Sequence, residues 1–235
     1  MPRKARNPVG GVIYHVLNRA NARQTIFRTR GDYEAFERVL EEAREHVSIR
    51  VLDFCVMPNH WHLVLWPERD KDLSRFVWWL TMTHTQRWHA AHDTAGTGHL
   101  YQGRFKDFPV QSDRHYLTVC RYTDRNPVRA GLVKRAEDWP YGGLCRRVKG
   151  DVQAMSLLSH GPVAWPVNWL HIVNEPQPER EEEALRQCAQ RGRPFGSDLW
   201  VEHTAERLGR QQTFRLVGRP YGTVKSKPAP KRIKP

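Results

Sequence analysis

Pro58-Asn59-His60-Trp61-His62-Leu63-Val64-Leu65 is the stretch on which the reading of the whole chain turns. Pro58-Asn59 has the composition of a turn, and the run from His60 to Trp66, closed by Pro67, predicts a β-strand. Side chains of a strand alternate between its two faces. His60 and His62 therefore share one face, while Trp61, Leu63 and Leu65 point the other way, towards a core. Two imidazoles about 7 Å apart along a strand can converge on one divalent cation when a neighbouring element brings a third ligand. Alone, the pair suits ordinary surface histidines as well, since 12 histidines make such spacings easy to meet by chance.

Outward from this run, Ile49 to Val56 predicts another strand, and the short turn between the two requires them to be antiparallel. Gly11 to Leu17 is β-rich and reads as an earlier strand. Between them, Asp32 is placed to cap a helix from Tyr33 to about His46, with Phe36, Val39, Leu40 and Ala43 at helical spacing. A second helix is expected from Leu73 to about Ala91, a further strand over Phe105 to Val110, and a last core helix from its cap Asp113 to Asn126, stopped by Pro127. Strand, helix, strand, strand, helix, strand, helix is the order of an α+β fold: a ferredoxin/RRM-like antiparallel sheet with helices on one face and the other face open.

The pattern changes near residue 150. Residues 1–150 are read as the main domain and 151–178, with four prolines and Trp165 and Trp169, as a linker. Residues 179–209 read as a helical extension, either a helix-turn-helix or a pair packed on the main domain, and 210–235 as a basic tail expected to be disordered and drawn to phosphates.

Charge narrows the function. Among 235 residues, 38 Lys and Arg face 25 Asp and Glu, a formal charge of +13, which favours nucleic acid as partner over an acidic membrane. No stretch approaches the roughly 18 apolar residues of a membrane span, and the basic start is followed by no apolar signal core, so a cytoplasmic location is expected. Cys55, Cys120, Cys145 and Cys188 are scattered and read as core thiols in a reducing compartment. Phosphate-loop, dinucleotide-loop and serine-elbow motifs are all missing from the sequence, so any chemistry has to come from other groups.

Arg121-Tyr122-Thr123-Asp124-Arg125-Asn126-Pro127-Val128-Arg129-Ala130-Gly131 supplies such groups. Tyr122 and Asn126 are four apart on one helix face, roughly opposite the stripe of Leu117 and Cys120. With this helix beside the histidine strand, Asn126 could give its amide oxygen to the cation while Tyr122 presents its hydroxyl to a phosphate. Arg19, Arg23, Arg104, Lys106, Arg125 and Arg129 are candidates for phosphate contacts, and Tyr101 and Phe105 for stacking on bases.

With these motifs in order, the chain over Pro8 to Gly143 resembles the single-tyrosine HUH transposases, which are insertion-sequence-200-like, and within them the REP-associated tyrosine transposases. The matching pieces are Tyr14-His15-Val16 with Asn18 and Arg19, Ile26-Phe27, the run Met57 to Leu65, Gly98 to Lys106, and Arg121 to Val133. Gly192 to Gly209 also resembles an extension found in some members. The resemblance implies the HUH endonuclease fold, with magnesium or manganese on His60 and His62 and Tyr122 as nucleophile. Asn126 stands where shorter relatives use a glutamine as third ligand, which keeps an amide oxygen but shortens its reach. Trp139-Pro140-Tyr141-Gly142-Gly143 departs from the family, which more often has serines after the aromatic pair.

The reaction implied is cleavage and rejoining of single-stranded DNA beside palindromic hairpins through a 5′-phosphotyrosine, without ATP. Hairpin-bearing single-stranded DNA is then the partner, and a homodimer is compatible with the reading. Tyr116 is the fallback nucleophile. A relaxase-like or rolling-circle nuclease, and an RRM-like nucleic-acid binder without chemistry, are the alternatives.

Overall fold

The computed structural model describes residues 8–150 and 155–215. Four strands, β1 (Ile13–Arg19), β2 (Ile49–Met57), β3 (His60–Pro67) and β4 (Lys106–Val110), form one sheet in the order β2-β3-β1-β4. All its pairings are antiparallel. The helices α1 (Arg30–His46) and α2 (Asp72–Ala91) lie between the strands in sequence, which gives the expected α+β fold. α1 starts earlier than Asp32 suggested. Thr29 is its cap, and Asp32 closes the reciprocal capping box from the third helical position.

Alternation along the strands sorts the core into two layers. Tyr14, Val16, Val51, Phe54, Trp61, Leu63 and Leu65 pack with Phe36, Leu40, Phe76 and Leu80 of α1 and α2. Ile13, Leu52, Val64, Phe108 and Val110 belong to a second layer. That second face is not open, which corrects the one-sided arrangement. α3 (Arg114–Asp124) lies on it, together with α6 (Trp169–Asn174) and α7 (Glu179–Arg191). The physical reason is that these apolar side chains would otherwise face water at about 25 cal/mol for each Å² exposed.

Beyond α3 come the short α4 (Asn126–Arg129), α5 (Gly143–Lys149) and, last, α8 (Asp198–Arg207). Pro127 does not end the helical stretch. It sits in the first turn of α4, where a residue without an N–H costs nothing. Within 151–178, the segment read as a linker, Leu157 and Val173 are fully buried and Trp169 nearly so. The extension does not stand apart: α7 packs on the sheet, and in the segment after it Phe195 N–H donates to the Pro109 carbonyl at 2.8 Å and Gln111 N–H to the Phe195 carbonyl at 3.0 Å, beside the β4 edge. The other edge is covered by Val56 N–H donating to the Tyr141 carbonyl at 2.9 Å, so neither edge presents a bare ladder. Gly143 is needed there, because a Cβ would fall 2.2 Å from Asp53 Oδ1. Of the basic tail, residues 216–235 lie outside the described residues.

Candidate active site

β1 and β3 bring their second-face residues together. In register, Leu17 faces His62 and Arg19 faces His60, and His15 stands diagonally from His62. The His60 and His62 rings are 5.0 Å apart between centroids, His62 and Tyr122 6.0 Å, and His15 and Tyr122 6.2 Å. Tyr122 thus reaches the histidine strand from α3. Its face is not set opposite a single apolar stripe: α3 is wedged between sheet and extension, so Tyr116, Val119, Cys120 and Tyr122 are all buried.

His60, His62 and Tyr122 line a cavity of about 680 Å³, while His15 lies behind its wall. Of the residues singled out from the sequence, it collects Arg19, Arg23, His60, His62, Arg104, Lys106, Tyr122, Asn126 and Arg129. Arg186 and Gln190 of α7 complete the wall. No Asp or Glu is among the described lining residues, so the cavity has a one-signed wall suited to a polyanion. Glu182 stands close by, 2.8 Å from Arg186 and 3.8 Å from Arg129.

Three residues are placed otherwise than expected. Tyr101 is buried, its hydroxyl accepting from Trp61 Nε1 at 2.9 Å and pairing with His84 Nδ1 at 2.8 Å, so it props the first core instead of stacking on bases. Phe105 is half-buried against that same core and does not line the cavity. Arg125 donates from Nη1 to the carbonyls of Val173 and Asn174 at 3.2 and 2.9 Å, so it docks the end of α6 instead of meeting phosphate. Tyr116, the fallback nucleophile, is fully buried in the second layer, 5.8 Å from Trp165 between ring centroids.

Electrostatics keep the imidazoles neutral. Burial first, then Arg19 and Arg129, pull His60 down to about 3. Burial, then His60 and His15, hold His62 well below the ordinary value, and burial alone takes His15 to about 3. A neutral imidazole is the form that ligates a metal. His62 Nε2 is buried without a hydrogen-bond partner, as a donor awaiting a cation would be. Asn126 donates Nδ2 to the carbonyls of Tyr122 and Thr123 at 2.9 and 3.2 Å, which leaves Oδ1 facing Arg129, whose guanidinium donates to it and lies 4.4 Å over the Tyr122 ring. The donor set of two neutral imidazoles and one amide oxygen fits a divalent cation, provided that Arg129 moves off Asn126.

His15 is not among the site residues expected from the sequence; alternation with Tyr14 and Val16 is the signal that places it on the His62 face. Arg186 and Gln190 carried no signal, since their placement depends on how the extension folds back.

The family model described as "Transposase IS200 like" matches residues 8–126. A REP-associated tyrosine transposase of Escherichia coli (strain K12) is 27% identical over 145 residues, covering 59% of this chain and 79% of that protein. A solved structure described as a REP-associated tyrosine transposase bound to a REP hairpin aligns with a TM-score of 0.52 at 20% identity, covering 76% of this chain and 99% of the other, a likeness of fold.

Proposed function

The chain belongs to the IS200-like transposase family, and from that premise we propose that it cleaves and rejoins single-stranded DNA beside hairpins through a covalent link to Tyr122, with magnesium or manganese held by His60, His62 and Asn126. The observation that carries this reading is the gathering of Tyr122 and the two imidazoles, 6.0 and 5.0 Å between successive ring centroids, on a cavity wall of cations with no carboxylate among the described residues. The hairpin bound by the structural relative supports the choice of substrate.

Arg19, Arg23, Arg104, Lys106 and Arg186 draw the phosphate backbone into the cavity and hold its register. The Tyr122 oxygen attacks phosphorus; its bond to phosphorus forms as the bond from phosphorus to the 3′ oxygen breaks. The phenolic proton leaves to solvent and the departing 3′ oxygen takes one up, giving a 5′-phosphotyrosine and a 3′-hydroxyl that can reverse the step. Arg129 puts positive charge over a ring that turns anionic when its proton leaves, and a phosphate arriving beside it offers the guanidinium an alternative to Asn126. What bound magnesium or manganese supplies is charge neutralisation at a non-bridging phosphate oxygen and alignment for in-line attack.

The test is cleavage of an end-labelled hairpin oligonucleotide. Cutting is expected with magnesium or manganese, and its loss is expected with chelator or in His62→Ala, while binding persists. Tight binding without cutting under every metal condition would instead favour the non-catalytic binder.

A further inference from the structure

The two imidazoles are held from behind by different partners, and these decide which ring nitrogen is left for the cavity. Asn59 donates Nδ2 to the Arg23 carbonyl at 3.1 Å, which turns its Oδ1 to His60 Nδ1 at 2.6 Å. An amide oxygen can only accept, so Nδ1 of His60 carries the hydrogen and Nε2 the lone pair. The carbonyl that orients Asn59 belongs to a loop in which Ala22 and Arg23 have φ of 51° and 57°. Side-chain-bearing residues adopt that left-handed backbone only where the surroundings impose it.

His62 is less constrained. Its Nδ1 lies 2.9 Å from His15 Nε2, and between two neutral rings this contact holds a single hydrogen that either can own. His62 Nε2 and His15 Nδ1 are both buried without partners. Either assignment therefore leaves one unpaired donor and one unpaired acceptor, and counting hydrogen bonds does not choose. The field chooses. His62 lines a cavity whose charged wall is entirely Lys and Arg among the described residues, so a lone pair at Nε2 sits favourably in that potential and an N–H unfavourably. The hydrogen then belongs to His62 Nδ1, and His15 accepts.

We propose that His15 and Asn59 are positioning residues that hold His62 and His60 in the same tautomer, hydrogen on Nδ1, so that both rings offer an Nε2 lone pair to a divalent cation. The inference rests on the reading above that this pair takes a cation. His15 is fully buried, 4.8 Å from Phe108 between ring centroids, and does not itself line the cavity.

Two measurements on the full chain test it. The first is nitrogen NMR of histidine-labelled, metal-free protein at neutral pH, where ring shifts distinguish the tautomers. His60 and His62 are both expected with hydrogen on Nδ1; finding it on Nε2 of His62, with or without magnesium, overturns the proposal. The second is calorimetric titration with manganese. His15→Leu is expected to weaken binding about 10- to 100-fold, and His15→Gln, which keeps an acceptor facing Nδ1, to recover most of that loss. Unchanged affinity in His15→Leu, or equal loss in a folded His15→Gln, contradicts the role. If the wild-type chain takes up neither magnesium nor manganese, the cation reading fails, and the metal-free tautomers still decide the hydrogen-bond assignment.

Discussion

Tyr101 and Tyr122 show how one residue type is spent in two ways. Tyr101 lies at the meeting of Trp61 and His84, where burial holds its phenol well above the ordinary value. Tyr101→Phe strands the Trp61 N–H, which costs about 1–3 kcal/mol. The expected outcome is a lower midpoint in urea with unchanged DNA affinity for the folded fraction; weaker affinity at full stability would restore the stacking role. Tyr122 has its ring among the imidazoles and a guanidinium above it, and it lines the cavity that Tyr101 does not. The sequence separated the two by neighbourhood only for Tyr122, whose Asn126 and Arg129 follow at helical spacing. Tyr101 lies in a loop, where periodicity carries no information and partners 40 and 17 residues away decide burial.

Elements explain why some arginines face the cavity and others do not. Arg125, singled out from the sequence, lies between α3 and α4 and clamps the last carbonyls of α6, while Arg186, which no motif marked, lines the cavity from α7. Arg186→Ala is expected to weaken hairpin binding and to lower the slope of log affinity against log salt by about 1, with stability unchanged. Arg125→Ala should instead loosen α6 and lower stability, leaving the salt slope as it was. Melting curves and salt titrations of the two variants check this, and a reversed pattern would contradict the assignment. The strands, both helices of the first layer and the helix of Tyr122 were legible because local alternation and helical spacing fix them. The covering of the second face was not, since α6 and α7 follow Pro-rich sequence and are recruited by apolar residues of distant strands.

For the molecule as a whole, buried ionisable groups tie stability to pH. His15 and His84 are taken by burial from the ordinary 6.5 to about 3. Above pH 6.5 both folded and unfolded chains carry them neutral; as pH falls, the unfolded chain binds protons that the folded one refuses until about 3. Each therefore removes up to about 1.4 kcal/mol per pH unit across that window. Denaturation midpoints should fall steadily below pH 6.5, and a flat profile there would contradict the neutral, buried assignment. The second layer also contains Asp53, fully buried, with Arg147 at 2.9 Å. Burial pushes Asp53 and its hydrogen-bonded neighbour Asp124 up, and the Arg147 guanidinium opposes that shift for both; Arg147→Ala takes away this counter-charge and is expected to lower the denaturation midpoint. These features hold the sheet and α3 in the relation that brings Tyr122 to the histidines. The most direct test of that relation is to mix the chain with hairpin-bearing single-stranded DNA and manganese, then map any denaturation-resistant adduct by mass spectrometry. The account predicts DNA attached through Tyr122 and no adduct in Tyr122→Phe; an adduct that persists in Tyr122→Phe, or one mapped to Tyr116, would contradict it.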